Sequence, residues 1–135
     1  MLKDERRART GPGTGTMAQR VLIVDDDIVV LRAVRTVLLE EGKWEVAMAS
    51  TGREALDVAL RFRPDVVVLD LGLPDMDGVA VCRELKALAG LPAPRVVVLT
   101  GQACSATTAG ALAAGADHYL LKPLSPHDLL RAVQG

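Results

Sequence analysis

Unbroken runs of branched apolar residues, without polar alternation, mark strands buried on both faces, as in a parallel sheet. Val21-Leu22-Ile23-Val24, Val66-Val67-Val68-Leu69 and Val96-Val97-Val98-Leu99 are such runs. Trp44 to Ala49 is more polar and suits a sheet edge, and Asp117 to Leu121 makes a fifth strand. Between the strands the apolar spacing turns helical. Ile28 to Glu41 sets Val30, Leu31, Val34, Val37 and Leu38 on one face and Arg32, Arg35, Thr36 and Glu40 on another, with Gly42 as the stop. Thr51-Gly52-Arg53-Glu54 reads as a capping box, opening a helix with Ala55, Leu56, Val58, Ala59 and Phe62 on its buried face until Pro64 forbids continuation. Val79 to Ala89 carries Val81, Cys82, Leu85 and Leu88 at helical spacing, and Pro92 and Pro94 mark the loop after it. Ala103 to Ala114 is an alanine-rich helix without a charge, weakened by Gly110 and two threonines. Ser125 caps a last, short helix with Pro126 at its first position and Leu129, Leu130 and Val133 for packing; its end is expected to fray.

Five strands alternating with five helices predict an α/β fold: a doubly wound, flavodoxin-like, five-stranded parallel sheet in the order 2-1-3-4-5. The 135 residues suffice for one domain. Residues 1 to 19, basic and then glycine-rich, are expected to be disordered, with Met17 as a candidate native start, and 20 to 135 to form the domain. The apolar runs are too short to cross a bilayer and no signal-peptide pattern opens the chain, so a soluble cytoplasmic protein is expected, without a membrane partner. Cys82 and Cys104 have neither a metal-ligand spacing nor a disulfide framework around them. The net charge of −1 divides into +3 over residues 1 to 20 and −4 over the remainder. With Trp44, Phe62 and Tyr119 as the whole aromatic complement, that balance argues against direct nucleic-acid binding.

The chemistry gathers where strands end. Asp25 and Asp26 follow strand 1, Asp70 ends strand 3, Thr100 ends strand 4 and Lys122 follows strand 5. In an open α/β sheet, the crevice beyond the carboxyl ends of the strands is where ligands bind. Three carboxylates held close there repel one another unless a cation is bound among them, and an oxygen-only set suits Mg²⁺. A carboxylate attacking phosphorus gives an acyl phosphate, and the transferring group then needs a metal, a cation and a hydroxyl donor. Asp75 and Asp77 read as turn and cap residues, Asp27 as an N-cap, and His118 and His127 as surface residues. Trp44 is expected at the far side of strand 2, away from the crevice.

Val24-Asp25-Asp26, Leu69-Asp70, Leu73-Pro74-Asp75-Met76-Asp77-Gly78, Leu99-Thr100-Gly101 and Gly115-Ala116-Asp117-His118-Tyr119-Leu120-Leu121-Lys122-Pro123 carry a specific resemblance. Over residues 20 to 134 the chain resembles the receiver domains of two-component response regulators. The resemblance implies that Asp70 is the phosphoacceptor, and that Asp25, Asp26, Asp70 and the Gly72 carbonyl hold Mg²⁺, Asp25 through water. It implies further that Thr100 and Lys122 bind the phosphoryl oxygens, that Lys122-Pro123 is cis, and that Thr100 and Tyr119 form a switch. It makes the donor a sensor histidine kinase or a histidine phosphotransfer protein, and the output surface the fourth helix, fifth strand and fifth helix. That surface would act on a downstream target the sequence does not name, or on a second copy in a homodimer. No winged helix, nuclease or cyclase pattern follows, so output is expected through a partner or a further domain. Gly72 and Gln102 flank the acceptor, and glycine at 72 implies open access for water. The rival enzyme reading is a haloacid-dehalogenase-like phosphatase, with Asp25 as nucleophile and Asp27 as acid-base. A third is a phosphorylation-independent interaction module on the same fold.

Overall fold

The computed structural model describes residues 19–88, 92–101 and 105–135. Five strands, β1 (Gln19–Val24), β2 (Trp44–Ala49), β3 (Val66–Asp70), β4 (Arg95–Thr100) and β5 (His118–Leu121), alternate with five helices, α1 (Ile28–Glu40), α2 (Gly52–Phe62), α3 (Gly78–Lys86), α4 (Ala106–Ala113) and α5 (Pro126–Gln134). The sheet is parallel throughout and runs β2-β1-β3-β4-β5. Side chains of a strand alternate between faces, which sorts each apolar run into two cores. Leu22, Val24, Val67, Leu69, Val96 and Val98 meet Ala55, Ala59, Val81, Cys82, Leu85 and Ala111 on the α2-α3-α4 side. Val21, Ile23, Val66, Val68, Val97 and Leu99 meet Leu31, Val34, Leu38, Leu129, Ala132 and Val133 on the α1-α5 side. Each of the larger side chains contributes roughly 1.5–3 kcal/mol on full burial, so polar residues inside the central strands would be costly on either face. Among the described residues, no helix is long and apolar enough to cross a membrane.

Every helix is opened by a side chain that accepts a backbone N–H: Asp27, Thr51, Asp77, Ser105 and Ser125. Element ends moved slightly from the sequence reading. α3 stops at Lys86, because Ala87 leaves the helical region at φ −107°, ψ 10°. α4 starts at Ala106, because Ser105 is extended and spends its side chain on the Thr108 N–H. Glu54 completes its box one residue earlier than expected, accepting from Ser50 and not from Thr51. α2 ends on Arg63 in the left-handed region, φ 54°, just ahead of Pro64. β1 begins at Gln19, one residue before the expected domain edge. The predicted disordered tail up to residue 18 and Met17, the residue Ala89, and Gln102, Ala103 and Cys104 lie outside the described residues.

Candidate functional site

Asp70 is the last residue of β3 and pairs with Leu99, so Thr100 lies one step further along the neighbouring strand. The Lys122 N–H donates to the Thr100 carbonyl at 2.9 Å, which seats the residue after β5 beside the end of β4. On the other flank the Asp25 N–H donates to Ala49 at 3.1 Å, keeping the chain on β2's edge one residue past β1. Sheet register alone therefore brings four strand ends to one rim. The side chains then meet: Lys122 Nζ lies 3.2 Å from Asp25 Oδ2 and 3.3 Å from Asp70 Oδ1. The Gly72 N–H donates to Asp70 Oδ1 at 3.1 Å, and the Asp27 N–H to Asp25 Oδ1 at 2.9 Å. One carboxylate oxygen each from Asp25, Asp26 and Asp70 fall within 4.8 Å of one another. A crevice of about 320 Å³ opens over Asp70 and is bordered by Gly72, Thr100, Gly101, Ser105 and Lys122. The Lys122-Pro123 bond is cis.

Charge is unbalanced here. Asp25 is fully buried, and that burial, helped by the Asp70 charge, pushes its carboxyl above the usual carboxylate range despite the Asp27 N–H and Lys122. Burial also works against the Lys122 ammonium, but Asp70 and Asp25 outweigh it and raise its pKa above that of an ordinary lysine. Three carboxylates face one ammonium, and every donor in the acidic set is oxygen. The set fits a hard divalent cation, which would relieve the repulsion that Lys122 only partly offsets.

Other expectations found their places. Asp27 and Asp77 cap α1 and α3, and His118 and His127 are exposed. Tyr119 is half-buried against the α2-α3-α4 core. Gly78 is dictated by close approach, since a Cβ there would lie 2.7 Å from the Leu71 Cα and 2.8 Å from its carbonyl oxygen. Two features escaped the sequence reading. Asp75, taken as a turn residue, accepts from Gly52 and Arg53 at 2.8 and 3.1 Å and so caps α2 from a distant loop. Thr108, a residue of α4, donates to Thr100 Oγ1 at 3.1 Å; no local pattern could reveal it, because the contact exists only once α4 packs on β4. The phosphatase alternative loses its support. Its nucleophile, Asp25, is sealed from solvent with both oxygens engaged, and its acid-base, Asp27, caps a helix.

The response regulator receiver domain family model matches residues 21–134. The chain belongs to that family. This receiver is 40% identical over 119 residues to the DNA-binding response regulator MtrA of Mycobacterium tuberculosis, a match covering 88% of this chain and 50% of MtrA. It spans about half the length of the curated relatives it matches. Among solved structures, a CheY-like receiver domain protein of Methanospirillum hungatei superposes with a TM-score of 0.77 at 34% identity, covering 87% of this chain and 91% of that one. The receiver domain of a Pseudomonas aeruginosa sensor histidine kinase, with magnesium coordinated in its active-site cleft, gives 0.78 at 30% identity over 87% and 95%.

Proposed function

We propose that this receiver accepts a phosphoryl group on Asp70 from a phosphohistidine of a sensor kinase or phosphotransfer protein in the cytoplasm, and so controls a partner. The observation that carries the reading is the convergence on Asp70 of Lys122 at 3.3 Å and of the acidic pair, beside a crevice bordered by Thr100. An Asp70 oxygen attacks phosphorus; a P–O bond forms as the P–N bond to imidazole breaks, and the leaving nitrogen keeps the electron pair and takes a proton. Lys122 then turns from Asp70 to the phosphoryl oxygens, and Thr100 donates its hydroxyl proton to one of them. Asp25, Asp26, Asp70 and the Gly72 carbonyl are the residues to hold Mg²⁺, which would supply charge neutralisation for the transferring group. The likeness to a receiver crystallised with magnesium supports that assignment.

Output is assigned to α4, β5 and α5, with Thr100 and Tyr119 as the coupled pair: a local charge change at Asp70 biases a two-state element. The occupant of that surface is a downstream target or a second copy. MtrA is named as DNA-binding, so control of a DNA-binding output is the first to try.

Intact-mass spectrometry after incubation with acetyl phosphate tests the reading. The expected adduct, about 80 Da for one phosphoryl group added to a side chain, requires Mg²⁺ and vanishes in Asp70→Asn. An adduct that survives in Asp70→Asn would place the acceptor on another residue, and none at all would leave the fold as a phosphorylation-independent interaction module.

A further inference from the structure

Six of the eight residues of α4 are Ala, Gly or Leu, and of its two threonines Thr108 lies in the buried face, 1% exposed. Burying a hydroxyl without a partner would cost a few kcal/mol, so its bonds indicate its role. Thr108 Oγ1 donates to Thr100 Oγ1 at 3.1 Å, and Ser105 Oγ donates to Thr108 Oγ1 at 2.9 Å. The Ser105 hydroxyl is fixed in turn, because it accepts the Thr108 N–H at 3.0 Å as the N-cap of α4. The three hydroxyls of Ser105, Thr108 and Thr100 therefore form a linked chain, anchored on a helix terminus and ending at the crevice over Asp70. Thr108 does not border that crevice, whereas Thr100 does.

We propose that Thr108 is a positioning residue for phosphoryl transfer, resting on the reading of Asp70 as acceptor and Thr100 as hydroxyl donor. A Thr100 oxygen bonded to Thr108 is held in place by that bond. Holding that oxygen keeps the Thr100 side chain at the edge of the crevice, within reach of an acceptor there. Loss of the Thr108 hydroxyl removes one bond that holds the Thr100 side chain, and preorganisation is weakened. The same bond links α4 to the position of the Thr100 hydroxyl.

The test compares rates of Mg²⁺-dependent labelling by acetyl phosphate, read by intact mass on the full chain. The variants are Thr108→Val, Thr108→Ser, Thr100→Ala and the double variant Thr100→Ala/Thr108→Val, with Asp70→Asn as control. Thr108→Val is expected to slow labelling about fivefold, the worth of one neutral hydrogen bond. Thr108→Ser, which keeps the hydroxyl, recovers most of the rate. In the Thr100→Ala background Thr108→Val has no further effect, because the positioned group is gone. If Thr108→Val fails to fold, Thr108→Ala takes its place in the same cycle. An unchanged rate in Thr108→Val, or an equal loss in both backgrounds, with labelling still dependent on Asp70, overturns the positioning role alone. Absent labelling in the wild type, or labelling retained in Asp70→Asn, overturns the acceptor reading and this inference with it.

Discussion

Gly72 shows how much a missing side chain can decide. A Cβ at that position would stand 3.7 and 3.9 Å from the two Asp70 oxygens, so any larger residue would project over the acceptor. Gly101, across the crevice, also leaves open space. Among the described residues the Gly72 side of the crevice is therefore open, and on the reading of Asp70 as acceptor that side gives water an approach to an aspartyl phosphate. Gly72→Arg is expected to lengthen that phosphate's lifetime severalfold, by obstruction and by pairing with the phosphoryl charge. Loss of the mass adduct with time after removal of acetyl phosphate measures it, and an unchanged decay rate sinks the idea. At this scale the acidic residues were legible from sequence, because carboxylates and a lysine immediately after apolar strands have few structural uses. Thr108 was not, since a threonine in an alanine-rich helix looks the same whether it faces solvent or the end of β4.

Elements here are tied to one another by carboxylates that also bear no part in the crevice. Asp75, from the loop before α3, accepts the first N–H groups of α2, and those donors hold its carboxyl below the usual carboxylate range. Asp117, just before β5, is pushed up by burial, but Lys86 and the Val96 N–H, both at 2.8 Å, outweigh that and lower it. A carboxylate with a depressed folded pKa contributes stability above its unfolded value, and loses it as pH falls through the folded one. Both groups therefore stabilise the fold at neutral pH and fail in acid, below about pH 4. Asp117→Asn is expected to cost about 1 kcal/mol at pH 7, discounted for partial exposure, and to flatten the acid limb of the stability curve. Asp75→Asn should flatten it in the same sense. Urea melts at pH 7 and pH 3 check both, and a variant whose loss is the same at the two values would exclude the linkage. The caps at Asp27, Thr51 and Ser125 could be read locally, whereas Asp75's use on another helix could not, because 23 residues separate it from Gly52.

At the scale of the whole molecule, a parallel sheet has a reactive end and a quiet end. Trp44 opens β2 opposite Gln19, at the amino ends of the strands, and is buried in the α1-α5 core. It sits about 17 Å from the strand ends that carry the site, taking roughly 3.3 Å per residue along β2. Adding Mg²⁺ is expected to leave Trp44 fluorescence nearly unchanged while raising the melting temperature, since the cation binds only the folded arrangement of the acids. A large change in emission would mean that the two ends are coupled. The fold class, the strand order and the gathering of carboxylates and a lysine at one rim followed from sequence by itself, because burial on both faces forbids polar residues inside a strand, and right-handed crossovers leave few orders open. What only the tertiary structure decided is which side chains touch. Lys122 bridging Asp25 and Asp70, Asp75 capping a distant helix and Thr108 holding Thr100 all join residues far apart in the chain or depend on how a helix packs. The hydrophobic pattern fixes which faces are buried, but rotation and sliding of the helices over the sheet set the ångström-scale contacts, and those come from packing summed over the whole core.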